Sequence, residues 1–234
     1  NEQIYNNATE RRKIIYVGSL AGLLPGGPGH SHQCVRDISS LGAIPHLVML
    51  EPSCEAEVAM AVEFCVNGTE ESCFLRLVSI LVQVPYALPE GYEMIEGRGA
   101  IIRDGTDGVV FGYGPIMLTQ AMRAADQLDR EQGISLKVVN LPWLNRVDDE
   151  WLKKTVSGCR AVFTLDNHYV AGGQGTMLLA RLAELGITQP TIAHRFGLKH
   201  VPESGGNVEV LSAHGLDSKS LASAIQEQLC ASDL

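Results

Sequence analysis

No apolar run in this chain approaches the roughly 20 residues that a membrane-crossing helix needs, and the polar opening, residues 1–12, lacks the apolar core of a signal peptide. A soluble, cytoplasmic protein is expected. Basic clusters are missing as well. The longest is Arg11-Arg12-Lys13, and the formal net charge of −9 argues against nucleic acid or another polyanion as a partner. No two cysteines stand at C-x-x-C spacing. The six of them, at 34, 54, 65, 73, 159 and 230, lie mostly in apolar stretches such as Phe64-Cys65-Val66 and read as free, buried thiols rather than a disulfide framework or a metal site. With 19% charged and 45% hydrophobic residues, the chain is neither disordered nor a coiled coil. Asn7-Ala8-Thr9 and Asn67-Gly68-Thr69 match the glycosylation pattern by chance, since nothing else points to secretion.

What is present is an alternation of strand-like and helix-like segments over 234 residues. Residues 13–20 form a short β-branched run, and 33–43 carry Val35, Ile38 and Leu41 at helical spacing. A second strand follows at 47–50, a second helix at 55–67 and a third strand at 73–78. Pro85, Pro89 and Gly91 then break the periodicity, which sets a boundary between 83 and 97. Beyond it come strand 108–112, helix 116–131, strand 136–141, helix 148–155, strand 161–165, helix 176–185, strand 191–194 and helix 218–229. Alternation at this interval implies parallel strands with crossover helices. The expected fold is α/β, two consecutive units of mostly parallel sheet covered by helices: residues 1–83, a linker 84–97 and a second unit 98–234. Gly112-Tyr113-Gly114-Pro115 lacks the glycine and lysine spacing of a phosphate loop and reads as a tight turn.

The densest chemistry lies in Pro25-Gly26-Gly27-Pro28-Gly29-His30-Ser31-His32-Gln33, where three glycines and two prolines carry two imidazoles directly after an apolar run. Glycine permits close approach to a ligand, proline limits the conformations lost on ordering, and imidazole titrates near neutrality. Metal binding by His30 and His32 would need further ligands that the sequence does not place nearby. His168, between a strand and Gly172-Gly173, reads as a structural imidazole.

Several stretches in order resemble the transketolase family of thiamine-diphosphate enzymes. His32-Gln33 is similar to the end of that family's D-G-P-T-H-Q, residues 41–48 (LGAIPHLV) to its L-R-A-I-P-N-L-V, and Glu51-Pro52-Ser53 to its R-P-A-D. Val138-Val139-Asn140-Leu141-Pro142 matches V-V-N-L/M-P. Thr164-Leu165-Asp166-Asn167-His168 with Gly172-Gly173-Gln174-Gly175 resembles T-x-E-E-H and G-G-x-G. The resemblance spans nearly the whole chain. It implies part of a pyrimidine-binding domain at 1–83 and a transketolase C-terminal domain at 98–234.

On that resemblance, the expected activity is transfer of a ketol unit between sugars, as the C-terminal section or a subunit of a transketolase. The beta subunit of a 2-oxo-acid dehydrogenase component and a deoxyxylulose-phosphate synthase share the layout, and a non-catalytic scaffold or regulatory subunit is the alternative from another class. The resemblance makes His32 the substrate-facing histidine and His30, where the family has proline, an extra donor. Gly29, Ser31, Gln33 and Ser79 are the expected substrate contacts. Thiamine diphosphate and Mg²⁺ are the implied cofactors, but the family's G-D-G metal motif and the glutamate that activates the aminopyrimidine have no counterpart here. Both would be bound mainly by residues outside this chain, on a diphosphate-binding domain or subunit in a homo-oligomer or heterotetramer. Ser79 stands where the family's strand-end pattern L-R-L-x-R has its second arginine, and 18–22 carry no cation. The expected substrate is therefore an unphosphorylated sugar, or one whose phosphate is anchored by a cation from outside this chain.

Overall fold

The continuous apolar run Leu47–Leu50 is buried at every position, as a strand covered on both faces must be, and it forms β2. A computed structural model describes residues 1–231 of the chain. Helix α1 (Glu2–Thr9) and β1 (Ile15–Gly18) precede the glycine loop. After it come α2 (Asp37–Leu41), β2 (Leu47–Leu50), α3 (Glu55–Glu63) with a wider π turn over Phe64–Gly68, and β3 (Ser72–Arg76). The three strands are parallel in the order β1-β3-β2.

The second unit contains β4 (Ala100–Arg103), β5 (Gly108–Gly112), α4 (Gly114–Gln132), β6 (Leu136–Asn140), α5 (Asp149–Val156), β7 (Ala161–Tyr169), α6 (Gln174–Glu184), β8 (Ile192–Leu198), α7 (Asn207–Ala213) and α8 (Ser218–Ala231). Its sheet runs β4-β6-β5-β7-β8, parallel except for β4. Helix α4 ends where Gly133 takes up a left-handed conformation. No described helix is long and apolar enough to cross a membrane.

The periodicity places most of these elements and misjudges others. The helix expected over 33–43 shrinks to Asp37–Leu41, because the backbone of 33–35 is held elsewhere: Gly22 N donates to Cys34 O at 2.9 Å and Tyr169 N to Val35 O at 3.0 Å. β7 runs four residues beyond its expected end, and α1, β4 and α7 have no counterpart in the pattern.

The two sheets share a core. One hydrophobic cluster joins Val48, Leu50 and Leu75 of the first to Val109, Phe111, Val139 and Leu178 of the second unit. The backbone is stitched across the same junction, with Glu51 N donating to Pro142 O and Leu144 N to Met49 O, both at 2.9 Å. Asn145 reinforces it, accepting from Met49 N at 3.0 Å and donating to Leu47 O at 2.8 Å.

At the centre lies a cation. Arg76, the last residue of β3, is completely buried. Its Nε donates to Asp37 Oδ2 at 2.8 Å, its Nη1 to Glu51 Oε2, and its Nη2 to Cys34 O at 2.9 Å and Asn167 O at 2.8 Å. Burial works against the charge, and Glu51 and Asp37 beside it more than offset that, so the guanidinium stays protonated. Replacing one partner of such a cluster strands the others without compensation. Arg76→Met is therefore expected to lower unfolding free energy by about 3–5 kcal/mol. Denaturant titration checks this, and a loss under about 1 kcal/mol would show that the cluster is not what joins the units.

Candidate active site

The loops that follow β1 and β3 leave the first sheet at the same end. Ala21 N donates to Leu77 O at 3.0 Å, so the glycine loop and the segment leading to Ser79 start side by side. The β1 loop enters through Gly22, at φ +80°, where an added Cβ would sit 2.0 Å from the Asn167 side chain. Only glycine fits there. Asn167 Oδ1 then accepts from Leu23 N at 2.9 Å, so β7 of the second unit fixes where the loop begins.

Within the loop, Gly29 N donates to Gly26 O at 3.2 Å and His32 N to Gly29 O at 3.0 Å, two consecutive turns that carry His30, Ser31 and His32 outward. All three side chains are exposed, and Ser31 Oγ lies 3.0 Å from His32 Nδ1. Gly29 is buried beneath them, and Ser79 is exposed at the neighbouring strand end. Gln33 is placed differently from the rest of the expected substrate contacts. It is 6% exposed, and its Nε2 donates inward to Leu23 O at 2.9 Å and Glu203 O at 3.1 Å. The His30–His32 rim is thus brought together on one exposed turn, while Gln33 braces it from behind.

Behind the loop lies a set of buried polar groups. Tyr113 OH donates to Asp166 Oδ1 at 3.1 Å, and the first amides of α6, Gln174 N and Gly175 N, donate to the two Asp166 oxygens at 2.8 and 3.1 Å. Burial pushes the Asp166 carboxyl up to about 6, against the pull of these donors. Burial also raises Glu51, despite the Arg76 charge beside it. Cys34 is pushed up to about 11 by burial and by Asp37, which leaves it an unreactive thiol. Arg76, Glu51 and Asp166 stand where apolar strand runs end and Asp37 opens α2, and nothing in the sequence signals that Arg76, Asp37 and Glu51 meet.

Two family profiles match this chain. The first, "Transketolase, pyrimidine binding domain", covers residues 1–83, and the second, "Transketolase, C-terminal domain", covers residues 97–221. The chain belongs to the transketolase family. A putative transketolase C-terminal section of Methanocaldococcus jannaschii is 28% identical over 223 residues, which is 95% of this chain and 68% of that protein. An uncharacterised transketolase family protein of Sinorhizobium fredii is 29% identical over 95% of this chain and 63% of its own length. The 1-deoxy-D-xylulose-5-phosphate synthase of Trichormus variabilis is also 29% identical, but the chain spans only 34% of it. Among solved structures, a split-gene transketolase described as an inactive β4 tetramer aligns with a TM-score of 0.77 at 24% identity, covering 97% of this chain and 74% of that one. A Pichia stipitis transketolase complexed with sedoheptulose 7-phosphate aligns at TM-score 0.76 and 18% identity, covering 98% and 32%. At these identities the structural likeness establishes the fold: mixed α/β with mostly parallel sheets.

Within this transketolase fold, His168 is structural in its geometry. It is fully buried, its Nδ1–H donates to Tyr169 O at 2.7 Å, and its Nε2 accepts from Ser39 N at 3.3 Å, an arrangement that only the neutral ring permits. Burial accordingly lowers its proton affinity. Since the folded value lies below the unfolded value near 6.5, its contribution to stability is complete above that pH and is lost as pH falls through the folded value. His168→Ala should cost about 2–4 kcal/mol from the cavity and two hydrogen bonds, whereas Ala at exposed His30 or His32 should shift stability by no more than about 0.5 kcal/mol. Chemical denaturation at several pH values checks both. The gap between wild type and His168→Ala should narrow on acidification, and a gap independent of pH would contradict the neutral-ring assignment.

Proposed function

We propose that this chain is the C-terminal section of a thiamine-diphosphate-dependent transketolase, with the end of the pyrimidine-binding domain at 1–83, a linker at 84–97 and the C-terminal domain at 98–234, and that the assembled enzyme moves a ketol unit between sugars. The observation that carries this reading is the His30–His32 turn, exposed at the strand ends of the first unit and anchored from behind by the second. The two family profiles also follow one another here in the family order.

Thiamine diphosphate supplies, when bound, the stabilised carbanion through which a ketol fragment is carried. The residues described here do not fit the diphosphate and Mg²⁺ themselves. Asp166 is held by Tyr113 and two α6 amides and Glu57 by Ser53 N, Tyr92 and Asn140, while Asp37 and Glu51 each bond Arg76 through one oxygen and keep the other buried beside it, away from any ligand-accessible surface. We assign the diphosphate and metal contacts to a diphosphate-binding domain or subunit outside this sequence. The similar split-gene transketolase, described as an inactive β4 tetramer, supports an assembly of several chains. A cytoplasmic setting accords with six unpaired cysteines.

The part left to this chain is substrate handling. His32 is positioned to take and return the proton of a sugar hydroxyl, with Ser31 Oγ, 3.0 Å from its Nδ1, orienting the ring. His30 adds a second donor on the same turn, and Ser31 and Ser79 offer hydroxyls. Gln33 acts from behind and is left out of the contact set.

In the assembled enzyme, His32→Ala should reduce kcat by about 10²–10⁴ without unfolding the chain. Full turnover without His32 would remove the loop from the reaction.

Substrate choice follows from charge. Arg76 is the first arginine of the strand-end pattern, but it is fully buried and its donors are committed to Asp37, Glu51 and two carbonyls, so it is not available to a phosphate. Ser79, at the second position, cannot replace a guanidinium's charge or its paired donors. An unphosphorylated ketose is therefore the expected donor, the alternative being a phosphate anchored by a cation from the partner domain or subunit. Comparing kcat/KM for a ketose and its phosphate ester tests this, and a preference of about 10³ for the ester, roughly 4 kcal/mol of transition-state binding, would refute it. Release of CO₂ from a 2-oxo acid in the same assay would favour the synthase-like reading that the Trichormus relative represents.

A further inference from the structure

The glycine loop is fastened to one short segment of the second unit. Gly26 N donates to Asn207 Oδ1 at 3.0 Å, Gly205 N donates to Gly26 O at 3.3 Å, Ser204 Oγ donates to Gly27 O at 3.2 Å, and Gln33 Nε2 donates to Glu203 O at 3.1 Å. The approach is close enough that a Cβ on Gly26 would lie 2.6 Å from Val210 Cγ2 of α7. Every one of these bonds ends in residues 203–207: residues 203–206 have no helix or strand of their own, and Asn207 opens α7.

That segment has its own support. His214, at the end of α7, accepts a hydrogen bond from Glu203 N at 2.9 Å through Nε2. Glu203 therefore links the imidazole, through its N–H, to the loop, through its carbonyl. A ring nitrogen accepts only while it is unprotonated, so this support exists in the neutral state and is lost in the cation.

The groups around His214 come from every element packed on it. Lys199, His200 and Glu203 lie on the segment after β8, His194 and Arg195 on β8, Glu209 on α7 itself and Glu227 on α8, and all border the concavities that His214 lines. Burial and the His200 charge disfavour the cation, and Glu203 favours it. In the described state the ring is neutral and the support intact.

We propose that Asn207 is a positioning residue for the His30–His32 turn and that His214 makes this clamp proton-sensitive, holding the Glu203 end of the segment against the loop when neutral and loosening it when protonated. This rests on the reading of the turn as the substrate-facing one. The second unit then contributes to the reaction without touching substrate. It sets where two imidazoles stand, and it loosens them on acidification.

Amide hydrogen exchange of the loop, expressed as protection relative to the intrinsic rate at each pH, tests the clamp directly. Asn207→Ala should lower protection across residues 26–32 by about fivefold, as expected for one lost hydrogen bond, while amides of β5 stay unchanged. Asn207→Asp, which keeps an acceptor oxygen, should restore it. Between pH 7.5 and 5.5 the wild-type loop should lose protection, and His214→Gln, whose side-chain oxygen accepts at either pH, should not. Unchanged loop protection in Asn207→Ala would overturn the positioning role, and an acid loss in His214→Gln equal to wild type would overturn the proton-sensitive support. Kinetics of the assembled enzyme separate this from the site reading: Asn207→Ala should lower kcat/KM, with rescue by Asn207→Asp. If the loop loosens and turnover stays intact, the clamp stands and the catalytic role of the turn falls.

Discussion

A guanidinium removed entirely from water is the constraint around which the two units are arranged. Desolvating such an ion carries a penalty of several kcal/mol, and only well-placed anions and carbonyls offset it. For Arg76 these come from four separate places: Asp37 on α2, Glu51 after β2, Cys34 O in the strand-like end of the glycine loop, and Asn167 O on β7. No single element could provide them. The arrangement of loop, α2, β2 and β7 is thereby tied to one point, and the apolar cluster around Leu50, Val109 and Phe111 fills the space beside it. The demand extends to α4, whose first residue must be glycine because a Cβ on Gly114 would meet Glu51 Oε1 at 1.9 Å.

The same junction explains the division of labour between buried and exposed polar groups. Gln33, Asp166, Asn167 and His168 are almost or fully inaccessible and each is bonded to another element, so they define positions. His30, Ser31 and His32 stand on the open side of a turn whose backbone is fixed from both units. A rigid back and a free rim suit proton transfer, which depends on placing a titratable group within hydrogen-bond reach. Departures from the transketolase pattern become intelligible in this frame. Glu51, where the family pattern has arginine, is a buried carboxyl bonded to Arg76, so that position serves the junction here.

Much of the fold was legible in the residues. β2 and β5 appear with the bounds their apolar runs imply, and α4 and α8 appear where helical spacing and, for α4, the closing Gly133 place them, because each such signal is local. The elements that escaped notice are α1, with a single fully buried residue, Ala8, the short antiparallel β4, and the two-turn α7. Each is too short or too polar for periodicity to register. The end of β7 escaped for another reason, since Asp166, Asn167 and His168 read as polar loop and are held in extended form by partners on the loop, α2 and α6.

The site divides in the same way. Composition and order alone determined that two imidazoles share a glycine-rich turn after the first strand, that the chain resembles transketolases, and that the strand-end cation of the family pattern is missing at Ser79. Only the tertiary structure decided that Gln33 turns inward, that Arg76 is sealed in a junction, and that Asn207 and His214 stand behind the loop. Strand and helix patterns follow from neighbours along the chain, whereas Leu23 finds Asn167, and Gly26 finds Asn207, only when two units close on one another. Burial then fixes which polar groups must pair and which are left to face a ligand.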